Sequence, residues 1–138
     1  MFKNCLYFNL STLSKKITKI WNDEFAKLGL APSHGYILSA LAKNSNLSQK
    51  ELSEIMELDA STITRFIDAL SNRKLINKTS TGKGARYTLT ESGHSTAKEV
   101  SDLMSVLFSK MNNIFGEDDF KAMIVDLQQT KENLKEAF

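Results

Sequence analysis

Apolar residues recur at steps of three and four along most of this chain, the spacing that gathers them on one face of a helix. Residues 6–28 predict a long helix with Leu6, Leu10, Leu13, Ile17, Ile20, Trp21, Phe25 and Leu28 in one stripe and Gly29 as its stop. Pro32 suits the first turn of a second helix over 32–43, with Tyr36, Ile37, Leu38, Leu41 and Ala42 inward, and 44–47 reads as a turn. Residues 93–115 carry another long stripe, Ala97, Val100, Met104, Leu107, Met111 and Ile114, ended by Gly116. Glu117, Asp118 and Asp119 then favour the amino end of a last helix through its dipole.

Between these stripes the pattern is shorter and more punctuated. Ser48 and Glu51 have capping-box spacing, in which the serine accepts from the backbone of Glu51 and the glutamate reaches back. They open a short helix over 48–56, and Glu57-Leu58 makes a tight turn. Asp59 is a good N-cap for a helix over 60–73, with Ile63, Phe66, Ile67 and Leu70 inward and Ser61, Thr62, Thr64, Arg65, Asp68 and Ala69 on the opposite face. Residues 75–90 change to Thr, Ile and Tyr around a Thr81-Gly82-Lys83-Gly84 turn, which predicts a β-hairpin.

Helix, tight turn, helix and hairpin make a winged helix-turn-helix. The expected fold is therefore mainly α with a small β-hairpin wing, flanked by N- and C-terminal dimerisation helices. In such a module the second helix enters the major groove of duplex DNA with its N-terminal side chains against base edges. Those side chains are Ser61, Thr62, Thr64 and Arg65; arginine can make two hydrogen bonds to guanine, and hydroxyls can bond bases or phosphates.

Charge changes the picture. The net charge is only +2, yet residues 65–90 hold six basic side chains (Arg65, Arg73, Lys74, Lys78, Lys83, Arg86) against the single acid Asp68, while residues 117–138 hold six acids against three bases. A cationic recognition helix and hairpin are what phosphate neutralisation requires. Ser48, Gln49, Arg73, Lys78, Lys83 and Arg86 accordingly join the four recognition residues as candidate DNA contacts. Solvated faces of this composition also occur in winged helices that bind protein, so a protein–protein module without DNA binding stays open as the other reading.

Length and composition bound the rest. One Pro and six Gly among 138 residues leave few helix breakers, and 41% hydrophobic with 25% charged residues describes an ordered globular chain of about one domain. The expected organisation is a single domain over 1–138, with a winged lobe at 32–92 and helical dimerisation regions at 1–31 and 93–138. Roughly half the chain lies outside the winged lobe, in long striped helices suited to packing on a second copy. A homodimer would hold two recognition helices one DNA turn, about 34–36 Å, apart.

No run approaches roughly 20 apolar residues, so no membrane span is expected. The single Cys excludes an intrachain disulfide and makes a reducing compartment, the cytoplasm, the expectation. Cys5, His34 and His94 have no metal-ligand spacing, and no nucleophile–base or carboxylate pair is visible. No enzymatic activity, metal or cofactor is expected.

The stretch LSQKELSEIMELDASTITRFIDALSNRKLI, residues 47–76, with YTLTESG, residues 87–93, resembles the MarR (multiple antibiotic resistance regulator) family of transcription regulators. The shared features are the Thr64-Arg65 pair, the apolar exit from the second helix and the Leu-Thr-x-x-Gly end of the hairpin. The resemblance implies a homodimer of intertwined terminal helices on a pseudo-palindromic operator, usually a repressor, released by a small phenolic ligand or an oxidant. Thr81 and Lys83 stand where the family usually has an Asp and an Arg, so its wing salt bridge is missing, and Lys74 stands where a glycine is common. Trp21, His34 and Tyr36 are the candidate effector pocket for a small aromatic ligand; His34 is equally open to a structural role. Cys5 resembles, by region, the thiol of the family's peroxide-sensing branch, two positions early; as a free cysteine it is otherwise expected to be a small buried hydrophobe.

Overall fold

Helices form where the stripes predict them, and their ends are set by capping chemistry. The computed structural model describes residues 1–80 and 84–138; Thr81, Gly82 and Lys83 of the expected wing turn lie outside the described residues. Helix α1 (Leu6–Ala26) stops two residues before the predicted end. The Leu28 and Gly29 amides donate to the Phe25 and Ala26 carbonyls, and the Leu30 amide turns back to Phe25. Gly29 takes the left-handed conformation, φ 69°, that this stop requires. Helix α2 (Pro32–Lys43) has the expected bounds, with proline in its first turn. It approaches α1 closely at Gly35, where a β-carbon would collide with the fully buried Phe25 ring.

Helices α3 (Gln49–Met56) and α4 (Ala60–Asn72) form the helix-turn-helix, with Glu57 in left-handed geometry, φ 54°, between them. Ile63, Ile67 and Leu70 of α4 are buried, and Phe66 is half-buried. The expected turn at 44–47 is corrected at its end. Leu47–Ser48 is a strand, β1, that joins β2 (Ile76–Lys78) and β3 (Arg86–Leu89) in an antiparallel sheet of order β1-β3-β2. Leu47 faces Tyr87, and Ile76 faces Leu89. Two residues are too short to show strand alternation, so periodicity could not announce β1.

Helix α5 (Glu91–Phe115) begins two residues earlier than predicted, because Thr90 is its cap. The Thr90 hydroxyl accepts from the Gly93 amide (2.9 Å) and donates to the Lys74 carbonyl (2.7 Å), while the Thr90 amide donates to Leu75 (3.0 Å). A β-carbon at Gly93 would run into that Leu75 carbonyl. The Leu-Thr-x-x-Gly motif is thus the joint between the exit of α4, the sheet and α5. Lys74 adopts the left-handed conformation (φ 58°) that explains a preference for glycine there.

The chain divides into two compact units, Met1–Ser101 and Asp102–Phe138. Ile37, Leu38, Leu41, Leu52, Ile63, Leu70 and Val100 are fully buried in the first. In the second, α6 (Glu117–Ala137) follows Gly116, and the Phe120 ring lies edge-on to Phe108 (5.5 Å) and stacks on Phe115 (6.0 Å). Helix α6 buries no residue; Ile124, Val125, Leu127 and Leu134 are exposed, as are Leu6, Tyr7, Leu10 and Leu13 of α1. Among the described residues no helix is long and apolar enough to cross a membrane.

Candidate nucleic-acid interface

The amino end of α4 is organised by Asp59. Its Oδ1 accepts from the Thr62 amide (2.7 Å) and the Ser61 hydroxyl (2.8 Å). The Thr62 hydrogen bonds, then Ser61 and the Arg65 charge, hold the Asp59 carboxyl below its ordinary pKa, so the cap stays ionised. One turn on, the Thr64 hydroxyl donates to the Ala60 carbonyl (2.9 Å) and accepts from Gln49 Nε2 (2.6 Å), which also donates to Ala60 (3.0 Å). A carbonyl can only accept, so the amide nitrogen of Gln49 must face Ala60. The side chain of Gln49 therefore bridges α3 to the first turns of α4.

Ser61, Thr64 and Arg65 share the exposed face opposite Ile63, Ile67 and Leu70, and Thr62 is half-buried. Arg65 forms no hydrogen bond or ion pair among the described residues, which leaves its guanidinium available. Lys78, on the neighbouring strand β2, is likewise exposed without such a partner. Arg65 with the hydroxyl side chains on the exposed face of α4 has the chemistry to meet base edges and phosphate, and Lys78 adds an exposed cation on β2.

The other candidates have internal bonds. Ser48 Oγ accepts from the Glu51 amide (3.1 Å) as a cap. Glu51 completes no box; its carboxylate stands 3.2 Å from Arg86 Nη2 instead. Arg86 donates through Nε (3.0 Å) and Nη2 (2.7 Å) to the Asn46 carbonyl. Arg73 Nη1 donates to the Gly29 carbonyl (2.8 Å), tying the end of α4 to the α1–α2 loop. Asn46, Thr79 and Thr90 are junction residues that charge counting passed over; an Asn just before an apolar residue, with its tolerance of left-handed geometry, was the available signal for the first.

Of the effector candidates, Trp21 and Tyr36 meet: the indole N–H donates to the Tyr36 hydroxyl at 2.7 Å. They line a cavity of about 480 Å³ with Ile17, Thr18, Asn22, Ala31, Pro32 and Ser33. Burial pushes the Tyr36 pKa up against the opposing effect of the Trp21 bond, so the phenol stays neutral. His34 is not among the lining residues. It packs edge-on against Phe66 of α4 (5.0 Å), where burial and then the Arg73 charge lower its pKa. Cys5 is exposed at the amino end of α1, not buried, and its sulfur has no hydrogen bond among the described residues.

Helix-turn-helix, three-stranded wing and flanking helices define a winged helix-turn-helix protein, and the whole arrangement has the fold of the MarR-family transcription regulators. It is similar to the repressor CouR bound to a 23-mer DNA duplex (TM-score 0.87, 19% identity, 94% of each chain). It is also similar to MepR of S. aureus in complex with DNA (TM-score 0.85, 14% identity, 96% of this chain and 99% of that one). The family model described as HVO_A0261 N-terminal domain matches residues 22–111, and the chain belongs to that family. In sequence it is 30% identical over 98 residues to the HTH-type transcriptional repressor MdtR of Bacillus subtilis (strain 168), a match covering 69% of this chain and 63% of that repressor. The likeness to MarR regulators read from residues 47–76 and 87–93 thus extends through the fold.

Proposed function

We propose that the chain is a homodimeric, sequence-specific regulator of transcription that binds duplex DNA, acts as a repressor and leaves its operator when a small aromatic molecule binds. The observation that carries this reading is the exposed Arg65, without a hydrogen bond or ion pair among the described residues, beside Ser61 and Thr64 on a helix anchored by Asp59 and Gln49. Solved relatives of the same fold sit on DNA. The exposed apolar side chains of α1 and α6 support a second copy as partner. The cavity beside Trp21 and Tyr36 is of ligand size and mostly apolar, which supports a small aromatic effector.

Selection of bound sequences from random duplexes, followed by titration of the Arg65→Ala variant, tests the proposal. Loss of about 1–3 kcal/mol with relaxed sequence preference is expected. Unchanged affinity in that variant would remove α4 from the readout, and a native chain that shows no salt-sensitive retention of DNA would favour a protein-binding module.

A further inference from the structure

Asn46 ties the wing to the helix-turn-helix. Its backbone is left-handed, φ 68°. Its carbonyl receives both Arg86 bonds from β3, and its side-chain Oδ1 accepts from the Thr79 hydroxyl (2.6 Å), just past β2. Two positions on, Ser48 pairs with Arg86 in the sheet and caps α3. Gln49 follows and bonds α4, and Glu51, in the same first turn, stands against Arg86. Six consecutive residues, 46–51, therefore hold the wing on one side and the recognition helix on the other.

Arg86 has five guanidinium hydrogens. Its Nε–H and one Nη2 hydrogen go to the Asn46 carbonyl, and the Glu51 carboxylate stands 3.2 Å from Nη2 as an ion pair. The Glu51 carboxylate also offsets the charge a phosphate would attract. Neither Arg65 nor Lys78 forms an ion pair among the described residues, although the Arg65 charge acts on Asp59 from a greater distance. We infer that Arg86 is a positioning residue that fixes the wing to the amino end of α3 through Asn46 and Glu51, and is not a phosphate contact. This rests on the DNA-binding reading above.

The test measures affinity of the full chain for its selected duplex over a salt series, for the native protein, Arg86→Lys, Arg86→Met, Glu51→Ala and the double variant Glu51→Ala/Arg86→Met. Positioning predicts that both Arg86 variants bind about tenfold or more weakly with the salt slope unchanged. An ammonium cannot reproduce the forked contact, so lysine does not rescue. Glu51→Ala also weakens binding, and the double variant is no worse than Arg86→Met. A phosphate contact predicts a slope smaller by about 1 in Arg86→Met, near-native binding in Arg86→Lys and tighter binding in Glu51→Ala. That pattern overturns the inference, and the slope decides if the arms diverge.

A double-mutant cycle in thermal unfolding of the free chain reads the same clamp without DNA. Native protein that shows no salt-sensitive duplex binding would defeat the DNA reading. The free-chain cycle then judges the clamp: coupling between Glu51 and Arg86 upholds it, and additivity removes it.

Discussion

The indole of Trp21 donates its N–H to the Tyr36 hydroxyl at 2.7 Å, joining α1 to α2 beside the cavity proposed for an effector. Tyr36→Phe leaves that part-buried donor without its acceptor and is expected to cost about 1 kcal/mol in urea unfolding. Trp21 is the sole tryptophan, so its emission reports on the same place. A panel of aromatic ligands that quenches native Trp21 should quench the variant less; equal responses would put the ligand elsewhere.

Lys78 and Arg65 are expected to fail in different ways. Lys78→Ala should weaken binding about equally across duplex sequences and reduce the salt slope by about 1, as loss of one phosphate contact does. Arg65→Ala should lose discrimination between sequences. Competition binding with selected and random duplexes separates the two, and uniform weakening in both variants would argue against base readout by Arg65.

Gly93→Ala should destabilise the protein by on the order of 2–3 kcal/mol, because its β-carbon meets a backbone carbonyl rather than a movable side chain. The Leu75 carbonyl cannot retreat without breaking its bond from Thr90. Chemical unfolding measures the loss; native-like stability would mean the α5 joint yields easily.

Stability should fall on mild acidification through His34. Burial first, and then the positive charge of Arg73, lower its folded-state pKa below the ordinary value of about 6.5. As pH drops below that value the unfolded chain takes up a proton that the folded chain resists, so unfolding becomes easier. The contribution is complete above the unfolded pKa, declines as pH falls toward the folded one and is constant below it. Melting temperatures of the native chain and of His34→Gln, compared from neutral to mildly acidic pH, should converge in acid; parallel curves would exclude His34.

Much of this fold was legible in local chemistry. Pro32, Ser48 and Asp59 each mark a helix start where the structure has one, since capping depends on a residue and its next three neighbours. The stripe through Ile63, Ile67 and Leu70 correctly assigned the buried side of α4. What local pattern could not show was which distant group a side chain would meet. Arg73 and Arg86 counted as cations in a basic span, yet Arg73 bonds Gly29 and Arg86 bonds Asn46, partners 44 and 40 residues away. Strand β1 was missed for the same reason: it is defined by β3, nearly forty positions later, rather than by its own two residues.

That dependence bears on the order in which the chain becomes structured. Because β3 is the central strand, neither β1 nor β2 has a sheet partner until residues 86–89 exist. During synthesis from the amino end, α3 and α4 emerge while that strand is still missing. In that interval each helix start rests on its own cap, Ser48 on Glu51 and Asp59 on Thr62, and the bond from Gln49 to Thr64 joins the two helices. The groups that define the two helix starts and join them thus all lie within residues 48–64, ahead of the strand that closes the sheet.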